Sequence, residues 1–200
     1  MKKNITILLV LLTSFVYCQE ESYTSYESEY FEDEFNINIS KNTSAYSFVI
    51  YAQSIDNRSK RAALIIKEKL IPNFIGLLQK SKEKYIEWTA VAKQNKIDEF
   101  DKIIDYKSKK YRASFTYGDW QNDYKVILQA TYKVIESGYV VMIENKYKLK
   151  SASNQFIKSE GFMFVFKSEK DFDDLISKID IKKAKEVFLK NSKELDLFKN

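Results

Sequence analysis

Between residues 111 and 166, apolar side chains recur at every second position in four runs, 111–117, 124–135, 139–149 and 156–166, separated by short polar or glycine-containing breaks. A period of two places alternate side chains on opposite faces of a strand, and short connections force antiparallel pairing of successive strands. The pattern predicts a four-stranded meander. Tyr111, Ala113, Phe115 and Tyr117 share one face of the first run, Tyr124, Val126, Leu128, Ala130, Tyr132 and Val134 of the second, and Tyr139, Val141, Ile143, Tyr147 and Leu149 of the third. Arg112, Lys125, Gln129, Thr131, Lys133, Glu144, Lys146 and Lys148 lie opposite, so one face is expected to be dry and the other wet. The fourth run ends in an apolar stretch at 161–166, which predicts burial on both faces. Gly118 and Gly138 fall at turns, and Gly161 inside a strand pattern predicts a bulge.

Phe35, Ile37, Ile39 and the run 46–52 predict an N-terminal strand or hairpin over 35–53. From 58 to 104 the apolar spacing changes to three and four, through Leu64, Ile65, Leu70, Ile71, Phe74, Leu77, Leu78, Tyr85 and Trp88, which predicts a long helical segment. Pro72 is expected to kink it, and a last short helical stretch carries Ile97, Phe100, Ile103 and Ile104. Ser168 and Asp171 have capping-box spacing and open C-terminal helices over 168–197, with Phe172, Leu175 and Ile176 on one face. Runs of strands set apart from runs of helices predict an α+β fold, an antiparallel sheet packed on one face by helices.

The start of the chain points to export. Met1-Lys2-Lys3 and the apolar stretch 5–17 have the form of a secretory leader occupying residues 1–18, too short to span a bilayer comfortably. Val16 and Cys18 suit the positions before the cut, giving a mature start at Gln19 as in exported proteins of some Gram-negative bacteria. A lipid anchor on Cys18 is the rival reading, although bulky Tyr17 precedes it. Residues 20–34 carry seven carboxylates and no base, the composition of a poorly ordered spacer, and 35–200 is expected to form a single domain. An integral membrane protein is not expected, and the exported destination is periplasmic or extracellular.

Composition narrows the chemistry. Histidine is absent, and the sole cysteine belongs to the leader, so the mature chain has neither a Ser-His nor a Cys-His pair and no imidazole or thiolate metal ligand. Four glycines form no phosphate-cradling loop, and no cofactor is expected. Residues 35–200 nevertheless hold 31 basic against 21 acidic side chains, a net of +10. The wet face of the meander gathers Arg112, Lys125, Lys133, Lys146, Lys148 and Lys150 near Thr116, Gln129 and Thr131, a surface for an anionic glycan, a lipid headgroup or an acidic protein. The competing reading is that these lysines keep an exposed strand soluble. The segment 118–123 is read as a loop in which Trp120, between Asp119 and Asp123, either stacks on a sugar ring or folds onto the core. Nucleic acid is not an expected partner of an exported chain.

These features favour an exported, non-enzymatic binding domain. A carrier of an apolar ligand is the alternative, because 28 Phe and Tyr residues could line a cavity. A carboxylate-based hydrolase is a second alternative, for which Asp119, Asp123, Glu136 and Glu144 are the candidates.

Overall fold

A computed structural model describes residues 19–43, 45–56 and 61–197, with side chains through Asn191. The expected leader over residues 1–18, with Cys18, and the side chain of Leu195 lie outside the described residues. The strands are β1 (Gln19–Ser28), β2 (Asp33–Asn42), β3 (Ala45–Ser54), β4 (Ala62–Lys67), β5 (Phe100–Ile104), β6 (Lys110–Tyr117), β7 (Asp119–Ile135), β8 (Gly138–Asn145), β9 (Leu149–Lys150), β10 (Lys158–Ser159) and β11 (Phe162–Phe166). The helices are α1 (Ile71–Asn95), α2 (Glu169–Lys178) and α3 (Ile181–Leu197). The fold is α+β, with an antiparallel sheet packed by one long helix and two C-terminal ones.

The meander is present as β6, β7, β8 and β11, each antiparallel to the next. Beyond that, the sheet returns on itself. β11 pairs with β3 through Phe162 opposite Ser54 and Met163 opposite Gln53, β3 pairs with β4, and β4 pairs with β6. Six strands, β3-β4-β6-β7-β8-β11, thus form a ring. The β1–β2 hairpin extends outward from β3, and β5 adds to the far half of β7. The inward row of Phe48, Ile50, Leu64, Ile66, Tyr111, Phe115, Leu128, Tyr132, Ile143 and Phe164 is buried, and α1 lays Phe74, Leu77 and Leu78 against it. Phe74 meets Tyr111 edge-on at 6.2 Å and Phe164 at 6.3 Å, while Trp88 meets Tyr132 at 5.7 Å. α2 is held by the expected capping box at Ser168 and Asp171, and its Phe172 stacks on Phe166 at 4.2 Å.

Several local elements differ from their sequence reading. Residues 62–67 are strand rather than the start of a helix, because β4 is paired on both edges, and its outward face carries apolar Ala63 and Ile65 beside the buried inward row. Such a strand reads as a continuous apolar run, which periodicity alone does not separate from a buried helix. Pro72 does not kink α1 but lies in its first turn, where the missing N–H would have had no helical partner. Residues 100–104 are the edge strand β5, on which only Ile104 is buried.

The acidic segment expected as a poorly ordered spacer is instead strand β1 and the turn into β2. Its aromatic residues explain the difference. Tyr26 is buried, stacks on Phe35 at 5.4 Å and donates its hydroxyl to the Tyr51 carbonyl at 3.1 Å, and Tyr23 packs on Phe48. A register shift between Ser22 and Thr24 interrupts the alternation that would have revealed the strand, while Glu20 and Glu27 face solvent.

Two buried tyrosines set a limit on alkaline stability. Burial raises the hydroxyl pKa of Tyr26 well above the ordinary 10.0, and burial likewise raises that of Tyr111, whose hydroxyl donates to Asn73 Oδ1 at 2.8 Å. Both are neutral in the folded chain, whereas in the unfolded chain they ionise near 10. Their contribution is therefore complete below that pH and is lost as pH rises toward the folded-state values. The urea midpoint of the wild type should fall between pH 9 and pH 11 by more than that of a Tyr26→Phe/Tyr111→Phe variant. Equal falls would contradict the assignment.

Candidate functional site

The outer face of the ring carries the site. Seen from the strands, β3 contributes Ser47, Val49 and Tyr51, β4 contributes Ala63, Ile65 and Lys67, β6 contributes Arg112 and Ser114, and β7 contributes Trp120 and Asn122. These enclose a groove of about 550 Å³. Val49 and Ala63 are buried although they face away from the main core, so they make an apolar floor. A second groove of about 610 Å³ shares Ile65, Lys67 and Arg112 with the first and continues to Lys69, Lys109, Lys110 and Tyr124. Together they form one trough across β4, β6 and β7.

A β-bulge shapes its centre. Tyr111 pairs with Val126 and Ala113 with Asp123, so Tyr124 and Lys125 together oppose Arg112. The extra residue reverses the phase of β7. Trp120, Asn122 and Tyr124 therefore face outward before it, whereas Val126, Leu128 and Ala130 face inward after it. Tyr124, expected on the dry face with Val126, is instead 56% exposed and lies under the Arg112 guanidinium at 5.1 Å. Arg112 is half-buried, and its Nε and one Nη donate to Asn122 Oδ1 at 3.1 and 2.6 Å. Ser114 Oγ donates to the same oxygen at 2.6 Å. The guanidinium is thus fixed by an amide and an aromatic ring, with its remaining N–H groups uncommitted to either.

The aromatic wall is Trp120, 45% exposed and edge-on to Tyr51 at 6.4 Å. Burial and the Glu20 carboxylate, which accepts from its hydroxyl, raise the Tyr51 pKa, against an opposing influence of Arg61. Glu20, the carboxylate that lines the trough, also accepts from Asn38 Nδ2 at 2.7 Å. Among the described residues, none of Lys67, Lys69, Lys109, Lys110 and Arg112 lies within 4 Å of a carboxylate, and the nearby Glu68 pairs with Lys185 at 2.8 Å.

Of the residues expected to form a site, the structure brings together Arg112 and Trp120. The others separate. Lys125 sits exposed at the bulge, Lys133 lies on the far half of β7 between Asp101 of β5 and Val140 of β8, Lys146 rests over the Tyr147 ring, and Lys148 pairs with Glu160. Lys150 is exposed on β9, and Thr131, expected on the wet face, is buried. The segment 118–123 is not a loop: the chain reverses at Gly118 and β7 begins at Asp119. Asp119 is exposed at that end, and Asp123 accepts from the backbone N–H of Lys125 and Lys150 at 2.8 and 2.9 Å, so it ties β7 to β9. Lys67, Lys69, Lys109, Lys110 and Tyr51 join the site from outside the set that the sequence pattern singles out. The run Lys107-Ser-Lys-Lys110 was visible as a basic cluster, but only the pairing of β4 with β6 places it beside Lys67.

Among the described residues, no helix is long and apolar enough to cross a membrane, and no cluster of acidic or sulfur side chains could hold a metal ion. No protein-family model, curated protein or solved structure matches the chain.

Proposed function

We propose that this is an exported, non-enzymatic binding domain that takes an anionic ligand in the trough across β4, β6 and β7. The observation that carries the reading is the set of five cations, Lys67, Lys69, Lys109, Lys110 and Arg112, which converge on one recess without a carboxylate partner among the described residues. Cations gathered in a recess reinforce one another's field and raise the local concentration of an anion. Arg112 is also held in place before any ligand arrives, which reduces the ordering cost of binding.

Export rests on the sequence: the basic start, the apolar stretch to Tyr17 and the change to an acidic, tyrosine-bearing segment at Glu20. The carrier alternative draws less support, since Phe48, Phe74, Phe115 and Tyr132 fill the interior where an apolar ligand would need space. The hydrolase candidates Asp119, Asp123, Glu136 and Glu144 do not line a common groove among those described.

Calorimetric titration of the mature protein with inorganic polyphosphate tests the reading. Binding should weaken as salt is raised, and Arg112→Ala or Lys67→Ala/Lys110→Ala should weaken it further, while Lys133→Ala leaves it unchanged. Polyphosphate binding that does not weaken with salt, or an equal loss with Lys133→Ala, would overturn it.

A further inference from the structure

We infer that the ligand is an acidic polysaccharide, a chain of sugar rings bearing carboxylates, lying lengthwise in the trough; this deepens the anion-binding reading and rests on it. Three features distinguish such a chain from other anions. The first is length. Trp120 stands opposite Thr116, and Lys110 lies six residues farther along β6, so the recess runs about 20 Å at roughly 3.3 Å per residue. One sugar would occupy a fraction of it.

The second is the alternation of chemistry along that path. Trp120 offers an exposed aromatic surface at one end, Arg112 with Tyr124 occupies the middle, and Lys109 and Lys110 lie at the other end. An aromatic ring packs against the apolar C–H face of a sugar, and a guanidinium donates paired N–H groups to a carboxylate. Inorganic polyphosphate has no apolar face and makes no use of Trp120. The third is the hydroxyl and amide lining between the charges, from Ser47, Ser114 and Asn122, which suits a polyol.

A membrane surface fits less well. Arg112 is half-buried and recessed above the floor formed by Val49 and Ala63, so a flat headgroup layer would meet the rim before it met the guanidinium. Asn122 is a positioning residue on this account, since its oxygen fixes Arg112 while its own role is separate from the charge.

The test is affinity for oligogalacturonates of one to six residues, their methyl esters, inorganic polyphosphate and vesicles of phosphatidylglycerol. Affinity should rise with oligomer length and then level off, and esterification, which removes the charge but keeps the rings, should weaken it at least tenfold. Trp120→Ala should lower oligogalacturonate affinity roughly tenfold and leave polyphosphate affinity unchanged. Asn122→Ala should weaken the acidic oligomers, whereas Asn122→Asp should retain part of the affinity by keeping an acceptor for Arg112. Polyphosphate or vesicles binding more tightly than every oligogalacturonate, with no effect of Trp120→Ala, would overturn the polysaccharide assignment and leave the anion site standing. Binding of none of the four probes would overturn both.

Discussion

Gly161→Ala should destabilise the protein by about 4 kcal/mol or more, from two separate causes that point the same way. Gly161 precedes β11 with φ at +109°, a region that side chains other than glycine rarely adopt. A Cβ placed there would lie 1.9 Å from Asn145 Oδ1. Asn145 has little freedom to withdraw. It is buried, accepts from the Phe162 N–H at 2.8 Å, and donates to the Tyr147 and Glu160 carbonyls at 2.9 Å each. Moving it leaves buried polar groups unpaired next to the two-residue pairing that joins β11 to β3.

Comparison variants separate the causes. Gly138 also has positive φ, at +120°, but a Cβ there meets nothing within 4 Å, so Gly138→Ala should show only the backbone cost of about 1–2 kcal/mol. Asn145→Ala/Gly161→Ala should be less destabilised than the sum of its single variants, because truncating Asn145 removes the collision. Chemical denaturation of the four variants measures both effects. A Gly161→Ala protein no weaker than Gly138→Ala would show that the Asn145 clamp is misassigned.

Phe74→Ala should cost about 3–5 kcal/mol, which is comparable with the whole stability of many domains. Its ring is fully buried between Tyr111 of β6 and Phe164 of β11, strands on different sides of the ring, so its loss opens a cavity where α1 meets both. Phe74→Leu keeps most of the volume and should cost much less. Phe156, equally large but 84% exposed on the connection between β9 and β10, provides the contrast: Phe156→Ala should change stability by no more than about 0.5 kcal/mol. Thermal unfolding that ranks Phe156→Ala beside Phe74→Ala would contradict the packing described.

The parts of the fold readable from sequence were those with a single exposed face. Burial alternates from Lys110 to Thr116 in β6 and from Val141 to Asn145 in β8, and Ser168 with Asp171 signals a helix start through local hydrogen bonds alone. The parts that misled have their cause in partners distant along the chain. β4 turns Ala63 and Ile65 toward the trough and Ala62, Leu64 and Ile66 toward the core, so its run of Ala, Leu and Ile resembles a buried helix. β1 looks like a solvated acidic tail until Tyr26 finds Phe35 and Phe164.

The candidate site follows the same division. Arg112 and Trp120 could be singled out as a charge on a wet face and an aromatic ring near a turn. The register shift opposite Arg112 could not, and it is this shift that turns Tyr124 outward beneath the guanidinium, while the far half of β7 leaves β6 to run between β5 and β8 and carries Lys133 away from Arg112. Lys67 joins the site through strand pairing that crosses the whole of α1 in sequence, so no local pattern announces it.

The most direct measurement of the central claim is amide chemical-shift mapping of isotope-labelled protein comprising residues 19–200, titrated with inorganic polyphosphate. Perturbations should concentrate at Lys67, Arg112, Ser114, Asn122 and Tyr124 and leave Lys133 and Lys148 unmoved. A response centred on Lys133, Lys146 and Lys148, or one spread evenly over the lysines of the whole surface, would show that the trough is not the binding site.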